Sequence, residues 1–193
     1  MKNLSNQKFL RRGITLEEAV KGIKLVALDM DGVLTDGRIG YGGTADEIKF
    51  FSVRDGSGVT MLRRAGILVG IISGRRSRAN QIRAAELKLD FLVEECWNKW
   101  ESLQNIARER GVSTDECLFL GDDLIDGDTL AHAGLGIAVG DASEAVLPAA
   151  DLQTDAFGGC GAVRETAEWL LKAQDKWEMQ LRHYRIPGPE KPL

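Results

Sequence analysis

Cysteine is scarce in this sequence: only three occur in 193 residues, Cys96, Cys117 and Cys160, and no two stand in a CxxC spacing. That argues against a disulfide scaffold or a zinc ribbon and suits a reducing compartment. Long apolar runs are missing too, since nothing approaches the ~20 consecutive apolar residues of a membrane span. The basic start MKNLSNQKFLRRG has no apolar stretch of the kind a signal peptide carries. A cytoplasmic protein that does not enter a membrane is therefore expected. Basic excess is absent as well: the formal net charge is −4, which argues against a general nucleic-acid binder. Histidine is limited to His132 and His183, both in helical patterns and neither assigned a role. Proline gathers in the tail after Ile186.

What is present is organised around Leu25–Gly37, LVALDMDGVLTDG. A short apolar run, Leu25 to Leu28, ends abruptly in Asp29-Met30-Asp31-Gly32, as a buried strand of a parallel sheet does. Ligand crevices of open α/β sheets lie beyond the carboxyl ends of the strands. Two acids so close together at that end repel each other, and a hard divalent cation would make the pairing favourable.

The rest of the chain alternates strand with helix. The arm 1–13 is polar and basic, and Thr15-Leu16-Glu17-Glu18 has the spacing of a capping box opening a short helix. Two β-like runs around Gly42-Gly43 read as a hairpin, with Ile39, Tyr41, Ile48, Phe50 and Phe51 more apolar than an isolated hairpin tolerates. Arg54-Asp55-Gly56-Ser57-Gly58 reads as a lead-in to a helix over 59–64. Strands follow at 67–72, 90–93, 117–120 and 135–139, with an edge strand at 152–154. Helices fall at 77–88, 98–110 and 129–133, and one long helix runs from Gly161 to about Arg185. The expected fold is α/β, a three-layer, doubly wound parallel sheet of Rossmann-like form, with a β-hairpin after the first strand and no separate cap domain. The expected division is an arm with a short helix over 1–22, one domain over 23–185 and a tail over 186–193.

On this fold Asp29 and Asp31 follow one strand, Ser73 follows the next, Lys99 opens a helix, and Asp122-Asp123 follow a later strand. All lie along one rim of the sheet, which marks a catalytic site. The blander readings are that Ser73 and Asp126 cap helices and that Trp97 and Trp100 beside Lys99 serve packing.

DMDGVLTDG, SGR, Lys99 and GDDLID resemble, in order and spacing, the four motifs of the haloacid dehalogenase phosphatases. DGVLTDG, FSVRDGSG, SGRRS and GGCGAVRE are similar to its small capless branch, whose best-known members act on 3-deoxy-D-manno-octulosonate 8-phosphate (KDO 8-phosphate). The resemblance implies a Mg²⁺-dependent phosphatase with Asp29 as nucleophile, Asp31 as proton donor and acceptor, and Ser73 and Lys99 on the phosphoryl oxygens. It implies Mg²⁺ ligation by Asp29, the Asp31 main-chain carbonyl and Asp122, with Asp123 and Asp126 orienting metal waters or Lys99. Thr35, Arg54, Arg75 and Arg76 are the candidate contacts to a sugar-acid phosphate, the arginines because a guanidinium grips a carboxylate with two hydrogen bonds. At position 160 the resemblance expects a basic or polar residue, and cysteine stands there.

The intervals between Asp31, Ser73 and Lys99 leave no room for an inserted lid, so the site needs cover from elsewhere. The resemblance implies a homotetramer in which one subunit's hairpin and C-terminal segment close a neighbour's site. Adjacent Phe50 and Phe51 point to opposite faces of a strand, so one is expected to pack inward and the other to face a partner. A nonulosonate 9-phosphate remains an alternative substrate, and a receiver domain or a non-catalytic assembly subunit are the alternatives of other classes.

Overall fold

The computed structural model describes residues 1–3, 14–43 and 46–187. Its main sheet is assembled around β2 (Leu25–Leu28), whose four residues are all buried because the sheet is covered on both faces. β2 pairs in parallel with β5 (Leu68–Ile72) on one side and β7 (Cys117–Gly121) on the other, Leu28 standing opposite both Ile71 and Leu120. β6 (Phe91–Val93) extends the sheet beyond β5, and β8 (Leu135–Ala138) and β9 (Leu152–Gln153) extend it beyond β7. β1 (Lys2–Asn3), expected to lie in a loose arm, pairs antiparallel with β9 and becomes the outer strand. The remainder of that arm and the end of the tail fall outside the described residues.

Alternation along the strands divides the core. Val26 and Leu28 face a layer with Ala19 and Val20 of α1 (Leu16–Gly22), Val59 and Leu62 of α2 (Val53–Arg64) and Leu170 of α6 (Ala162–Ala173). Leu25 and Ala27 face the opposite layer, with Leu103 and Ile106 of α4 (Lys99–Glu109) and Leu130 of α5 (Gly127–His132). α3 (Arg78–Glu86) joins β5 to β6. The expected capping box on α1 is present at Thr15 and Glu18. The hairpin is present as β3 (Gly40–Tyr41) and β4 (Glu47–Ile48), shorter than the two apolar runs suggested.

Two helices depart from expectation. α2 begins at Val53, because Ser52 caps it and accepts from the Asp55 amide (3.3 Å). Its glycines, which read as a loop, are there for packing: a Cβ on Gly58 would sit 3.0 Å from the Arg164 Cα. The long C-terminal helix is instead two, α6 and α7 (Trp177–His183), broken where Asp175 takes φ +57°. The Gln174 side chain, just before the break, donates to the carbonyls of Val20 (2.9 Å) and Ile23 (2.8 Å), tying this turn to the end of α1.

Candidate active site

Parallel register brings the strand ends level, and the expected residues meet there. Asp29 directly follows β2, Ser73 follows β5 and Asp122 follows β7, while Lys99 opens α4 beneath them. With Asp31 and Arg75 they line a cleft of about 310 Å³. A larger groove of about 430 Å³ beside Lys172 and Trp177 holds no comparable set of reactive groups.

The Lys99 ammonium is buried, 2.7 Å from Asp29 and 2.6 Å from Asp126. Burial works against its charge, but the two carboxylates outweigh burial and hold its pKa above the ordinary lysine value. Asp126 is fully buried and spends both oxygens: one on Lys99, the other accepting the amides of Asp122 (2.9 Å) and Asp123 (3.2 Å). It ties Lys99 to the turn after β7, whereas the Asp123 side chain is exposed on the rim.

Burial raises the Asp29 carboxyl to about 6, with Lys99 opposing the shift and Asp126 adding to it. Asp122 is raised to about 8, by burial first and then by repulsion from Asp29 and Asp126. Carboxyl oxygens of Asp29, Asp122 and Asp126 lie within 4.8 Å of one another, and the buried Asp122 Oδ1 has no hydrogen-bond partner. An orphaned acceptor amid mutually repelling acids is what a hard cation satisfies. Mg²⁺ fits this set; Asp29 and Asp122 have the free acceptor capacity, Asp126 does not. Gly32, at φ +93°, makes the approach possible, because a Cβ there would lie 2.1 Å from Asp122 Oδ2.

Thr35, expected against substrate, is instead fully buried behind the loop. Its hydroxyl accepts the amides of Gly32 (3.3 Å) and Gly37 (3.2 Å), so it holds the turn that presents Asp31. Of the arginines, Arg75 lines the cleft, with its guanidinium on Glu47. Arg54 is exposed on the first turn of α2, and Arg76 points to Glu95 (3.8 Å); neither lines the cleft. Packing describes Trp100, which lies against His132 with ring centres 5.6 Å apart, but not Trp97, which is 76% exposed at the cleft.

One residue of the site went unread in the sequence. Lys49, with no exposed side-chain surface, reaches both oxygens of Asp31 (2.6 and 2.8 Å) and donates to Asn80 Oδ1 (2.9 Å). Asn80 in turn donates to the Arg75 carbonyl (3.2 Å). The signal lay in the period-2 pattern of the hairpin's second arm. Ile48 and Phe50 face solvent while Glu47 and Lys49 face inward, an inversion that makes sense only if the inner side meets charge.

A family model described as haloacid dehalogenase-like hydrolase matches residues 82–157. The chain is 38% identical over 156 residues to the 3-deoxy-D-manno-octulosonate 8-phosphate phosphatase of Escherichia coli K12, covering 81% of this chain and 83% of that one. The Moraxella catarrhalis 3-deoxy-D-manno-octulosonate 8-phosphate phosphatase, solved with magnesium, phosphate and KDO, superposes with a TM-score of 0.84 at 36% identity, covering 87% of this chain and 97% of that one. The cobalt-bound phosphatase from Haemophilus influenzae gives a TM-score of 0.80 at 36% identity, covering 83% and 94%.

Proposed function

The chain belongs to the 3-deoxy-D-manno-octulosonate 8-phosphate phosphatases of the haloacid dehalogenase-like hydrolases, and on that premise we propose that it hydrolyses KDO 8-phosphate to KDO and phosphate in a Mg²⁺-dependent reaction. The observation that carries this reading is Asp29 at the floor of a cleft, flanked by Lys99, Ser73 and the unpartnered oxygen of Asp122.

An Asp29 oxygen attacks phosphorus and the bond to the sugar oxygen breaks, leaving an aspartyl phosphate. Asp31 gives its proton to the departing alkoxide, then takes one from the water that hydrolyses the acyl phosphate and regenerates Asp29. The Ser73 hydroxyl and the Lys99 ammonium hold the phosphoryl oxygens and offset their charge. Asp29, the Asp31 carbonyl and Asp122 would hold Mg²⁺, which supplies further charge compensation at the phosphoryl group. Lys49 keeps the Asp31 carboxylate from swinging away, and Asp126 does the same for Lys99. Arg75, which lines the cleft, is the candidate contact to the sugar-acid carboxylate. The free thiols support a cytoplasmic location.

The homotetramer belongs to the same reading. Phe51 packs against the core under the Arg83 guanidinium (5.2 Å), whereas Phe50 is 75% exposed beside exposed Tyr41, Ile48 and Val53. That outward apolar face is the surface through which one subunit covers the next.

The test is phosphate release from KDO 8-phosphate, a nonulosonate 9-phosphate and p-nitrophenyl phosphate, with and without Mg²⁺, by wild type and Asp29→Asn. KDO 8-phosphate is expected to give the highest kcat/KM, and Asp29→Asn to abolish turnover while keeping the melting transition. A higher kcat/KM for the nonulosonate ester, or an active Asp29→Asn protein, overturns the assignment.

A further inference from the structure

Trp97 lines the cleft, and the phosphatase chemistry leaves it unused. Its indole is 76% exposed, although the chain on both sides of it is firmly held. The Cys96 amide donates to the Ser73 carbonyl (3.0 Å), which ties the segment to the end of β5. Asn98 caps α4 by accepting the Glu101 amide (3.2 Å), and Lys99, the next residue, is fixed on Asp29 (2.7 Å). The Trp97 backbone is thereby anchored to the nucleophile and to the phosphoryl-binding serine. Among the described residues no aromatic ring or cation stacks on its indole, in contrast to Trp100 on His132.

A large apolar face left in water is unfavourable unless something covers it, and an indole loses little conformational freedom when it is covered. The position selects the cover. Trp97 lines the same cleft as Ser73 and Arg75, so a ligand whose phosphoryl group sits on Ser73 and Lys99 passes the indole on its way out. The carbon chain of a sugar acid offers C–H faces suited to an aromatic surface, while its carboxylate suits Arg75.

We infer that Trp97 is a specificity-determining residue, a fixed aromatic platform on which the sugar portion of the substrate stacks. This rests on the proposed sugar-acid phosphatase reading and adds to it a contact with the leaving group. It implies that discrimination between sugar phosphates and smaller phosphate compounds is made partly within one protomer, before any neighbouring subunit contributes.

The experiment compares wild type with Trp97→Ala and Trp97→Phe; the side chain is exposed, so both variants are expected to fold as wild type does. The ratio of kcat/KM for KDO 8-phosphate to that for acetyl phosphate, which has no sugar to stack, is expected to fall about tenfold in Trp97→Ala, mainly through KM. Trp97→Phe, which keeps an aromatic face, is expected to restore most of the ratio. Titration with KDO is expected to change the indole emission of wild type saturably, and the change is expected to vanish in both variants. An unchanged ratio in Trp97→Ala, or emission that responds to protein concentration and not to KDO, overturns the platform; the latter would mean that a second copy covers the ring. Absence of KDO 8-phosphate turnover by wild type removes the functional reading and the platform with it, whereas turnover with an unchanged ratio removes the platform alone.

Discussion

Asp29 and Asp122 are costly residues. Both are pushed above the ordinary carboxylate range, to about 6 and about 8, because burial and then repulsion from neighbouring carboxylates, Asp126 in both cases, disfavour their charged forms. A carboxyl whose folded pKa is raised contributes stability below its unfolded pKa and loses it as pH rises through the folded value. The metal-free protein should therefore lose stability from this pair between about pH 4 and pH 8. Mg²⁺ competes with protons for the same oxygens, so its stabilising effect should grow across that window. The expected outcome is a larger Mg²⁺-induced rise in melting temperature at pH 8 than at pH 5, abolished by EDTA. Equal increments at the two pH values would show that the acids do not hold the ion. Cys117, pushed up to about 12 by burial, should stay unreactive under the same conditions.

Among the elements, the loop before α6 matters to the chemistry without touching it. Asp55 on α2 is fully buried and accepts the amides of Gly161 (3.1 Å) and Arg164 (2.8 Å), capping α6 from another helix. This joins the FSVRDGSG and GGCGAVRE segments into one unit. The unit leans on the turn after β2: the Gly159 amide donates to the Val33 carbonyl (2.8 Å), and a Cβ on Gly158 would fall 1.7 Å from the Gly32 carbonyl oxygen. Gly158→Ala must therefore displace the turn that carries Asp31. Since a shift of about 1 Å can cost ~10²-fold in rate, kcat should fall at least tenfold with a smaller change in KM. Steady-state kinetics on folded variant protein checks this, and an unchanged kcat would mean that the turn is held by other contacts. Cys160, which departs from the expected pattern in this loop, is exposed at its tip.

For the whole molecule, the issue is how an uncapped site is covered. The hairpin both presents an outward apolar face and sends Lys49 inward to Asp31, so anything that seats the hairpin also steadies the Asp31 carboxylate. Burying Phe50 against a neighbour is worth ~1.5–3 kcal/mol, multiplied by symmetry in a closed assembly. Replacing Tyr41 and Phe50 with Ser, leaving Phe51 in the core, is expected to dissociate the proposed homotetramer in light scattering. It should also reduce sugar-phosphate turnover more than p-nitrophenyl phosphate turnover. A monomeric wild type with full sugar-phosphate activity would refute this role for the hairpin.

The convergence of the candidate groups on one cleft was legible in the sequence because their signals are local. Asp29, Ser73 and Asp122 each stand at the end of a short apolar run, and parallel pairing in register leaves such ends no other place than one rim. The cap at Thr15 was legible for the same reason, since a capping side chain answers amides within the next turn. Tertiary structure alone decided what depends on distant partners. It pairs Lys49 with Asp31, turns Thr35 from the substrate to the turn behind it, and leaves Trp97 open while Trp100 packs. It starts α2 at Val53 despite its glycines, because helix propensity is worth only about 1 kcal/mol per glycine and close packing against α6 overrides it. Burial and charge compensation are properties of the assembled chain, and they govern these choices wherever the local preference is weak.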